Sequence, residues 1–219
     1  MNRNKNRFLN HIRIMFQRKS IFSLILLAVP LVSSAQFGQD PDWPCIQRLV
    51  VDVAPGVIWN GPDPFEYGPG WEDSSEIVQI VNQVTGRRAD MDRAKKLIHE
   101  FSENQTPDTK NKNLTKLFYG VWDTMNNQRK RYIKKIIKFS RHQQAVAIQV
   151  EALLNQLEES SSKPEAVESL EYQQIESTLN WHQRIYDQRE RSMKSICDQP
   201  VLIEEHLGKI ARIILAQLN

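Results

Sequence analysis

The chain has 219 residues, with 29 Lys and Arg against 26 Asp and Glu and a formal net charge of +3. Six of the basic residues and none of the acidic ones lie in residues 1–35, so the remaining 184 residues carry 23 basic and 26 acidic side chains, a net charge of −3. A nucleic-acid partner therefore loses its main electrostatic support, and the length after residue 35 suits one domain or one domain with an extension.

Residues 1–35 are predicted to be a cleavable signal peptide. The apolar run IFSLILLAVPLV follows a basic segment and, at about a dozen residues, is too short to span a bilayer. Ser33 and Ala35 have the small-x-small spacing of a cleavage site, so the mature protein would begin at Gln36. The alternative is a membrane anchor. Export would place the protein in an oxidising compartment.

Residues 36–72 are predicted to form an extended arm rich in Pro, Gly and Trp. The segment holds six of the ten prolines, five of the eight glycines and three of the five tryptophans, which disfavours regular structure beyond a short strand at Gln47–Val53. Trp43, Trp59 and Trp71 are too apolar for a solvated linker. We therefore expect these tryptophans to pack, either on the chain's own helices or on a binding partner.

Residues 73–105 are predicted to form two short helices. Asp73 and Glu76 have the spacing of a capping box at the start of the first helix, and Gly86 would end it. The second helix would run from about residue 90 to residue 103, with its apolar positions at helical spacing.

Residues 106–197 are predicted to form a long antiparallel coiled-coil hairpin. One apolar set recurs every seven residues along a first helix from roughly residue 108 to residue 159: Phe118, Met125, Tyr132, Phe139, Val146 and Leu153. A second set, Trp122, Ile136, Val150 and Leu157, is interleaved with it, and the polar residues Arg129 and Gln143 interrupt that set. A second helix carries the same alternation from Tyr172 to Ile196. The short polar connection between them implies antiparallel packing.

The two apolar stripes stay in phase when Gln143 is set opposite His182 and Val146 opposite Leu179. In this register the two polar residues share one layer, and we expect them to hydrogen-bond and to specify the pairing. A pH-responsive histidine is the alternative.

Residues 198–219 are predicted to form a separate C-terminal helix that begins near Pro200, because proline suits the first turn of a helix. This helix would join the two short helices at the base of the hairpin. The predicted fold is all-α: a long antiparallel coiled-coil hairpin on a small helical base, preceded by an irregular Pro/Trp-rich arm.

Four stretches resemble a family of uncharacterised exported proteins of proteobacteria. They are DPDWPCIQRLV near the mature N-terminus, WNGP at residues 59–62, LTKLFYGVWDTMNNQR at 114–129 and CDQPVLIEEHLGKIAR at 197–212. The resemblance covers nearly the whole mature chain and implies a periplasmic location in a Gram-negative bacterium. It implies no catalytic residues.

Cys45 and Cys197, the only cysteines in the chain, are predicted to form a disulfide. An oxidising compartment favours pairing. Cys45 lies in the arm and Cys197 follows the last predicted layer of the hairpin, so the bond would strap the arm to the base. Buried free thiols and a redox switch are the alternatives.

The sequence shows no motif for catalysis, a metal or a cofactor. His99 and Glu103 have the i, i+4 spacing of a partial metal site, but without a third ligand they are more simply a solvated pair. The acidic residues of the arm lack the spacing of a calcium loop. We expect no metal site, no cofactor and no catalytic residue.

Charge along the hairpin is segregated, with basic residues that include Lys134, Lys135 and Lys138 in one half and acidic residues towards the tip. The basic half is either a solvated surface or a docking surface for an acidic protein or anionic lipid headgroups. We interpret the chain as a periplasmic, non-enzymatic adaptor, scaffold or accessory subunit that binds a periplasmic or membrane-associated protein. The alternatives are a chaperone-like holder and, less favoured, a hydrolase with a site between the arm and the helical base.

Overall fold

The computed structural model of the chain describes residues 40–162 and 169–218. Within these residues all regular structure is helical, which confirms the all-α class. The predicted signal peptide, the first residues of the arm (36–39) and the connection at 163–168 lie outside the described residues.

Three short helices precede the hairpin: α1 (Pro64–Tyr67), α2 (Ser75–Val84) and α3 (Met91–Glu103), with single 3-10 turns at Pro55–Val57 and Trp71–Asp73. The two predicted short helices are confirmed as α2 and α3. The predicted cap of α2 is wrong by one residue.

The side chain that caps α2 belongs to Ser74, whose hydroxyl accepts a hydrogen bond from the Ile77 backbone N–H at 3.4 Å. Asp73 is part of the preceding 3-10 turn, so it cannot also take the extended conformation of an N-cap residue. The helix therefore begins one residue later than the predicted capping box implies.

Helix α4 (Pro107–Ser161) and helix α5 (Leu170–Leu215) pack antiparallel and form the predicted hairpin. α4 has 55 residues, which is about 80 Å of helix at 1.5 Å per residue. Its N-terminal third packs with α2, α3 and the end of α5 in one core, whose central residues include Val81, Ile98, Phe118, Leu207 and Ile210. This core is the helical base.

The prediction of a separate C-terminal helix is wrong, because α5 continues without a break through Pro200. A proline inside a helix removes one backbone hydrogen bond and costs about 3 kcal/mol. Pro200 is buried, four residues after Ile196 in the same 3,4 alternation that Met193 and Ile196 follow. Packing against α4 therefore continues through the proline and offsets the lost hydrogen bond.

The predicted strand at Gln47–Val53 is also wrong, since no strand forms among the described residues. Side chains of α4 bind the backbone groups that a neighbouring strand would otherwise take. The Trp122 indole donates to the Val53 carbonyl oxygen at 2.7 Å, and the Asn126 side-chain oxygen accepts from the Val53 N–H at 3.1 Å. The segment has no regular structure, and side chains of a helix rather than a strand satisfy the hydrogen bonds of Val53.

The register of the hairpin is one helical turn away from the prediction. The Gln143 side-chain amide donates to the Tyr186 carbonyl oxygen at 2.9 Å, so Gln143 lies opposite Tyr186 and not opposite His182. One heptad further along, Leu179 lies opposite Val150, and both are buried. The predicted Gln143–His182 hydrogen bond is wrong: Gln143 Oε1 and His182 Nδ1 have no partner among the described residues.

One of the two predicted α4 sets is confirmed only in part. The interleaved set is buried as predicted, with Arg129, Ile136, Gln143, Val150 and Leu157 at its positions. Of the other set, Phe118 and Met125 are buried as predicted, but beyond them the seam moves to the following residues: Ile133 and Ser140 are buried, whereas Tyr132, Phe139, Val146 and Leu153 are half-buried. Ala147, seven residues after Ser140, is half-buried as well. Ser140 and Ala147 are small and allow a close approach of the helices, whereas aromatic rings fit better at the edge.

Leu179→Ala is expected to lower the free energy of unfolding by about 2–4 kcal/mol, because Leu179 is 3% exposed and its removal leaves a cavity in the hairpin seam. Leu170→Ala is the matched control, since Leu170 on the same helix is 77% exposed and its truncation should cost under about 0.5 kcal/mol. Urea denaturation at equal m-value measures both. Equal losses from the two variants would contradict the seam described here.

Candidate interaction surface

The three tryptophans of the arm pack on the chain's own helices. Trp43 and Trp59 are buried, at 9% and 5% exposure, and Trp71 is half-buried against the base. Trp71 lies on Gly120 of α4, where an added Cβ would sit 2.7 Å from the indole ring. Of the two predicted alternatives, the first is therefore the one observed: the tryptophans pack on the chain's own helices. The buried indoles do not offer a surface to a partner.

The predicted disulfide is confirmed: Cys45 of the arm and Cys197 of α5 are bonded, with their Cα atoms 5.6 Å apart. Both cysteines are buried with Trp43, Ile133 and Ile136 in a second apolar cluster, separate from the base. The Gln47 side-chain amide donates to the Cys197 carbonyl oxygen beside the bond. The bond therefore straps the arm across both helices of the hairpin.

Arg129 anchors the next part of the arm and was predicted only as a polar gap in the seam. It is 5% exposed and donates to the carbonyl oxygens of Val50 and Val51 and to the Glu204 carboxylate of α5. A guanidinium can satisfy several acceptors at once because its five N–H donors are fixed in one plane. The signal in the sequence was an arginine at a seam position, which requires buried acceptors from somewhere.

Two carboxylates of the arm neutralise one edge of the basic half. Asp42 accepts from the Arg141 guanidinium at 2.6 Å, and Asp52 forms an ion pair with Lys130. The hydrogen bond from Lys130 lowers the pKa of Asp52, with a smaller contribution from Asn126. Because the folded-state pKa is depressed, this contact is present at neutral pH and is lost only as the pH falls through that lowered value. The arm is therefore held electrostatically as well as covalently.

Three further basic residues lie on the exposed surface of α4, next to the two that pair with the arm. Arg131, Lys134 and Lys138, here named the basic stripe, have i, i+3, i+7 spacing and therefore share one face of the helix. All three are exposed, and none forms an ion pair with any residue that the structure describes. Lys135 differs from them, since its ammonium group lies 5.8 Å from the centroid of the Tyr132 ring.

The junction between the arm and the base contains a cleft of about 360 Å³ but no catalytic constellation. Its one ionisable side chain is Arg212, and the other lining residues are small, apolar or amide: Gly56, Val57, Ile58, Trp59, Asn60, Gly208 and Leu215. The described ranges hold no group of three or more His, Cys, Asp or Glu that could bind a metal ion. His99, considered above as a metal ligand, is hydrogen-bonded to Gln217 at 3.0 Å.

Comparisons with protein-family models, curated proteins and solved structures gave no match for this chain. Within the part of the chain that the structure describes, no helix is both long and apolar enough to cross a bilayer. The functional argument therefore depends on the surface of the hairpin.

Proposed function

We propose that the protein is a non-enzymatic adaptor, scaffold or accessory subunit of the periplasm, and that the basic stripe docks it onto an acidic surface of a partner protein. The observation that carries the proposal is a contrast among the basic residues of α4. Asp42 and Asp52 neutralise Arg141 and Lys130, whereas Arg131, Lys134 and Lys138 are exposed and have no ion partner among the described residues.

Electrostatics favour such a role for the stripe. Three positive charges within eight residues lie on about 10 Å of helix, so their fields add in solution. The mature chain carries a net charge of −3, so this positive surface runs against the overall charge. A local positive surface on an acidic protein steers a complementary partner to that surface and raises the association rate.

The rigidity of the scaffold supports the same role. The stripe lies on a helix of 55 residues, and the disulfide and Arg129 hold the arm against the neighbouring part of the hairpin. Binding through such a surface orders few side chains and no backbone, which keeps the entropic cost of docking low.

The periplasmic location is supported by the signal-like residues 1–35 and by the resemblance to exported proteobacterial proteins. The Cys45–Cys197 bond agrees with an oxidising compartment, because structural disulfides are rare in reducing ones. Purification from the periplasmic fraction therefore forms the first step of the test.

The test is capture of partners from periplasmic extract by the tagged protein and by its triple variant Arg131→Glu, Lys134→Glu and Lys138→Glu. We expect the wild type to retain one partner at a stoichiometric ratio, in a salt-sensitive manner, and the triple variant to lose it with an unchanged melting temperature. The stripe is exposed, so its reversal does not disturb the core.

The matched control reverses three exposed basic residues of the base: Arg87→Glu, Arg88→Glu and Lys95→Glu. It changes the net charge equally and should retain the partner. Loss of the partner from both triple variants would show that binding depends on the net charge of the protein and not on the basic stripe. Capture of many unrelated proteins, insensitive to salt and to both triple variants, would contradict the adaptor proposal and favour a chaperone-like holder.

A further inference from the structure

The base contains a second cleft, of about 380 Å³, where α3 packs against the end of α5. Met91 of α3 and Ile213 of α5 are half-buried against the core of the base and give the cleft an apolar floor. Three exposed basic residues line the same cleft: Lys95 of α3, and Lys209 and Arg212 of α5. Sites for small molecules combine an apolar lining with a few polar groups in this way, because the polar groups fix the orientation of the ligand.

The positive charge of this cleft is not neutralised within the described part of the chain. Lys95, Lys209 and Arg212 form no ion pair with any described residue, and no carboxylate of a described residue lines the cleft. The next residue of α3, Lys96, pairs instead with Glu100 on its own helix. A concave surface lined by one sign of charge concentrates the field and attracts the opposite ion.

The amide residue of the lining also provides donors. The side-chain oxygen of Gln217 lies 3.0 Å from Nδ1 of His99. An amide oxygen can only accept, so the ring nitrogen donates, and the amide N–H groups of Gln217 are left for other acceptors. Lysine and arginine side chains likewise donate and cannot accept. The cleft therefore suits a ligand whose polar end consists of acceptor oxygens.

Capping of α5 does not account for the two basic residues near its end. Basic side chains near a helix C-terminus often hydrogen-bond the last carbonyl oxygens. Here the carbonyl oxygens of Arg212, Ile214 and Leu215 accept from backbone N–H groups of the residues that follow them. The side chains of Lys209 and Arg212 form no hydrogen bond with another described residue. Their donor groups therefore remain for a ligand.

We propose that this cleft binds an anionic amphiphile, whose carboxylate or phosphate group is held by Lys95, Lys209 and Arg212 and whose apolar body covers Met91 and Ile213. The planar guanidinium of Arg212 matches two oxygens of either headgroup, and the lysines add point charges. The apolar body removes the floor of the cleft from water, which an inorganic anion cannot do. The site lies in the base and shares no residue with the basic stripe, so this proposal and the docking proposal can fail independently.

Calorimetric titration of the purified, disulfide-bonded protein tests the site with octanoate, octyl phosphate, 1-octanol and inorganic phosphate. We expect octanoate or octyl phosphate to bind with a dissociation constant on the order of 1 mM, as is usual for so small a probe. Octanol and inorganic phosphate should each bind at least about tenfold more weakly, because each lacks one half of the recognised chemistry. The tighter of the two amphiphilic anions identifies the headgroup.

Two neighbouring lysines of α3 provide a matched pair of variants. Lys95→Gln should weaken binding of the amphiphilic anion about fivefold, whereas Lys96→Gln, which removes the same charge from outside the cleft, should change it less than about twofold. Arg212→Gln should weaken binding about tenfold or more. All three residues are exposed, so the variants should keep the melting temperature of the wild type.

Four results would overturn the proposal. The first is no binding of either amphiphilic anion at about 10 mM, well above the expected dissociation constant. The second is octanol that binds as tightly as octanoate, which would make the cleft merely apolar. The third is inorganic phosphate that binds as tightly as octyl phosphate, which would leave an adventitious ion only. The fourth is an equal loss from Lys95→Gln and Lys96→Gln, which would show a general effect of charge.

Discussion

Removing both cysteines, as Cys45→Ala/Cys197→Ala, is expected to lower the free energy of unfolding by up to about 5 kcal/mol. The bond joins residues 152 apart in sequence, and closing so long a loop restricts the unfolded chain strongly. Alanine is the appropriate replacement because both side chains are buried, and a serine hydroxyl would lack a partner there.

The loss should be localised to the arm. Asp42, Asp52 and Arg129 continue to hold the arm without the bond, but they act through exposed ion pairs and a few hydrogen bonds. Limited proteolysis should therefore cut the double variant within residues 40–53 much faster than the wild type, while far-UV circular dichroism stays nearly unchanged. The wild type under reducing conditions is the control and should behave like the variant.

Two results would contradict this account. Two free thiols in denatured, unreduced protein from the periplasm would show that the bond does not form there. A double variant whose arm resists proteases as well as the wild type would show that the bond adds nothing to the packing.

Trp59→Ala is expected to cost about 3–5 kcal/mol of stability, because it removes the largest side chain that the arm inserts into the base. The Trp59 ring stacks on Phe118 with centroids 4.0 Å apart and planes 10° from parallel, and its indole N–H donates to the Pro62 carbonyl oxygen at 2.7 Å. Truncation leaves a cavity beside Phe118 and an acceptor without its donor.

The matched control is Trp181→Ala, which removes the same side chain from an exposed position. Measured by urea denaturation, it should cost under about 0.5 kcal/mol. A loss below about 1 kcal/mol for Trp59→Ala would mean that the arm rests on the base without stabilising it.

Local periodicity and composition were sufficient for much of this fold. The 3,4 spacing of apolar residues predicted α2, α3, the two long helices and the α5 seam from Tyr172 to Ile196, because a helix buries whatever recurs at its own period. The Cys45–Cys197 pairing also followed, since two cysteines in a chain that is predicted to be exported allow one intramolecular bond. The resulting strap was predictable without knowledge of the packing around it.

The registers and partners were decided only by the tertiary structure. Gln143 could be set opposite His182 as readily as opposite Tyr186, because the row of Ser140 and Ala147 completes the same 3,4 alternation on α4 as the row of Phe139 and Val146. Only side-chain packing separates the two registers. The same holds for Pro200, which suits a helix start by local preference and lies inside α5 because the seam continues through it. Local rules describe each segment alone, whereas the register of a seam also depends on the volumes of the side chains on the facing helix.

The sequence by itself determined the all-α class, the hairpin, the irregular arm and the disulfide, because helical periodicity, proline content and cysteine count act within a segment or on the chain as a whole. Only the tertiary structure decided which basic residues of α4 are neutralised and which are exposed. Asp42 is nearly a hundred residues away in sequence from its partner Arg141, and Asp52 is about eighty residues away from its partner Lys130. It also placed Tyr132, Phe139, Val146 and Leu153 beside the seam rather than within it. Burial depends on what the rest of the chain brings to a surface, and no local pattern carries that information.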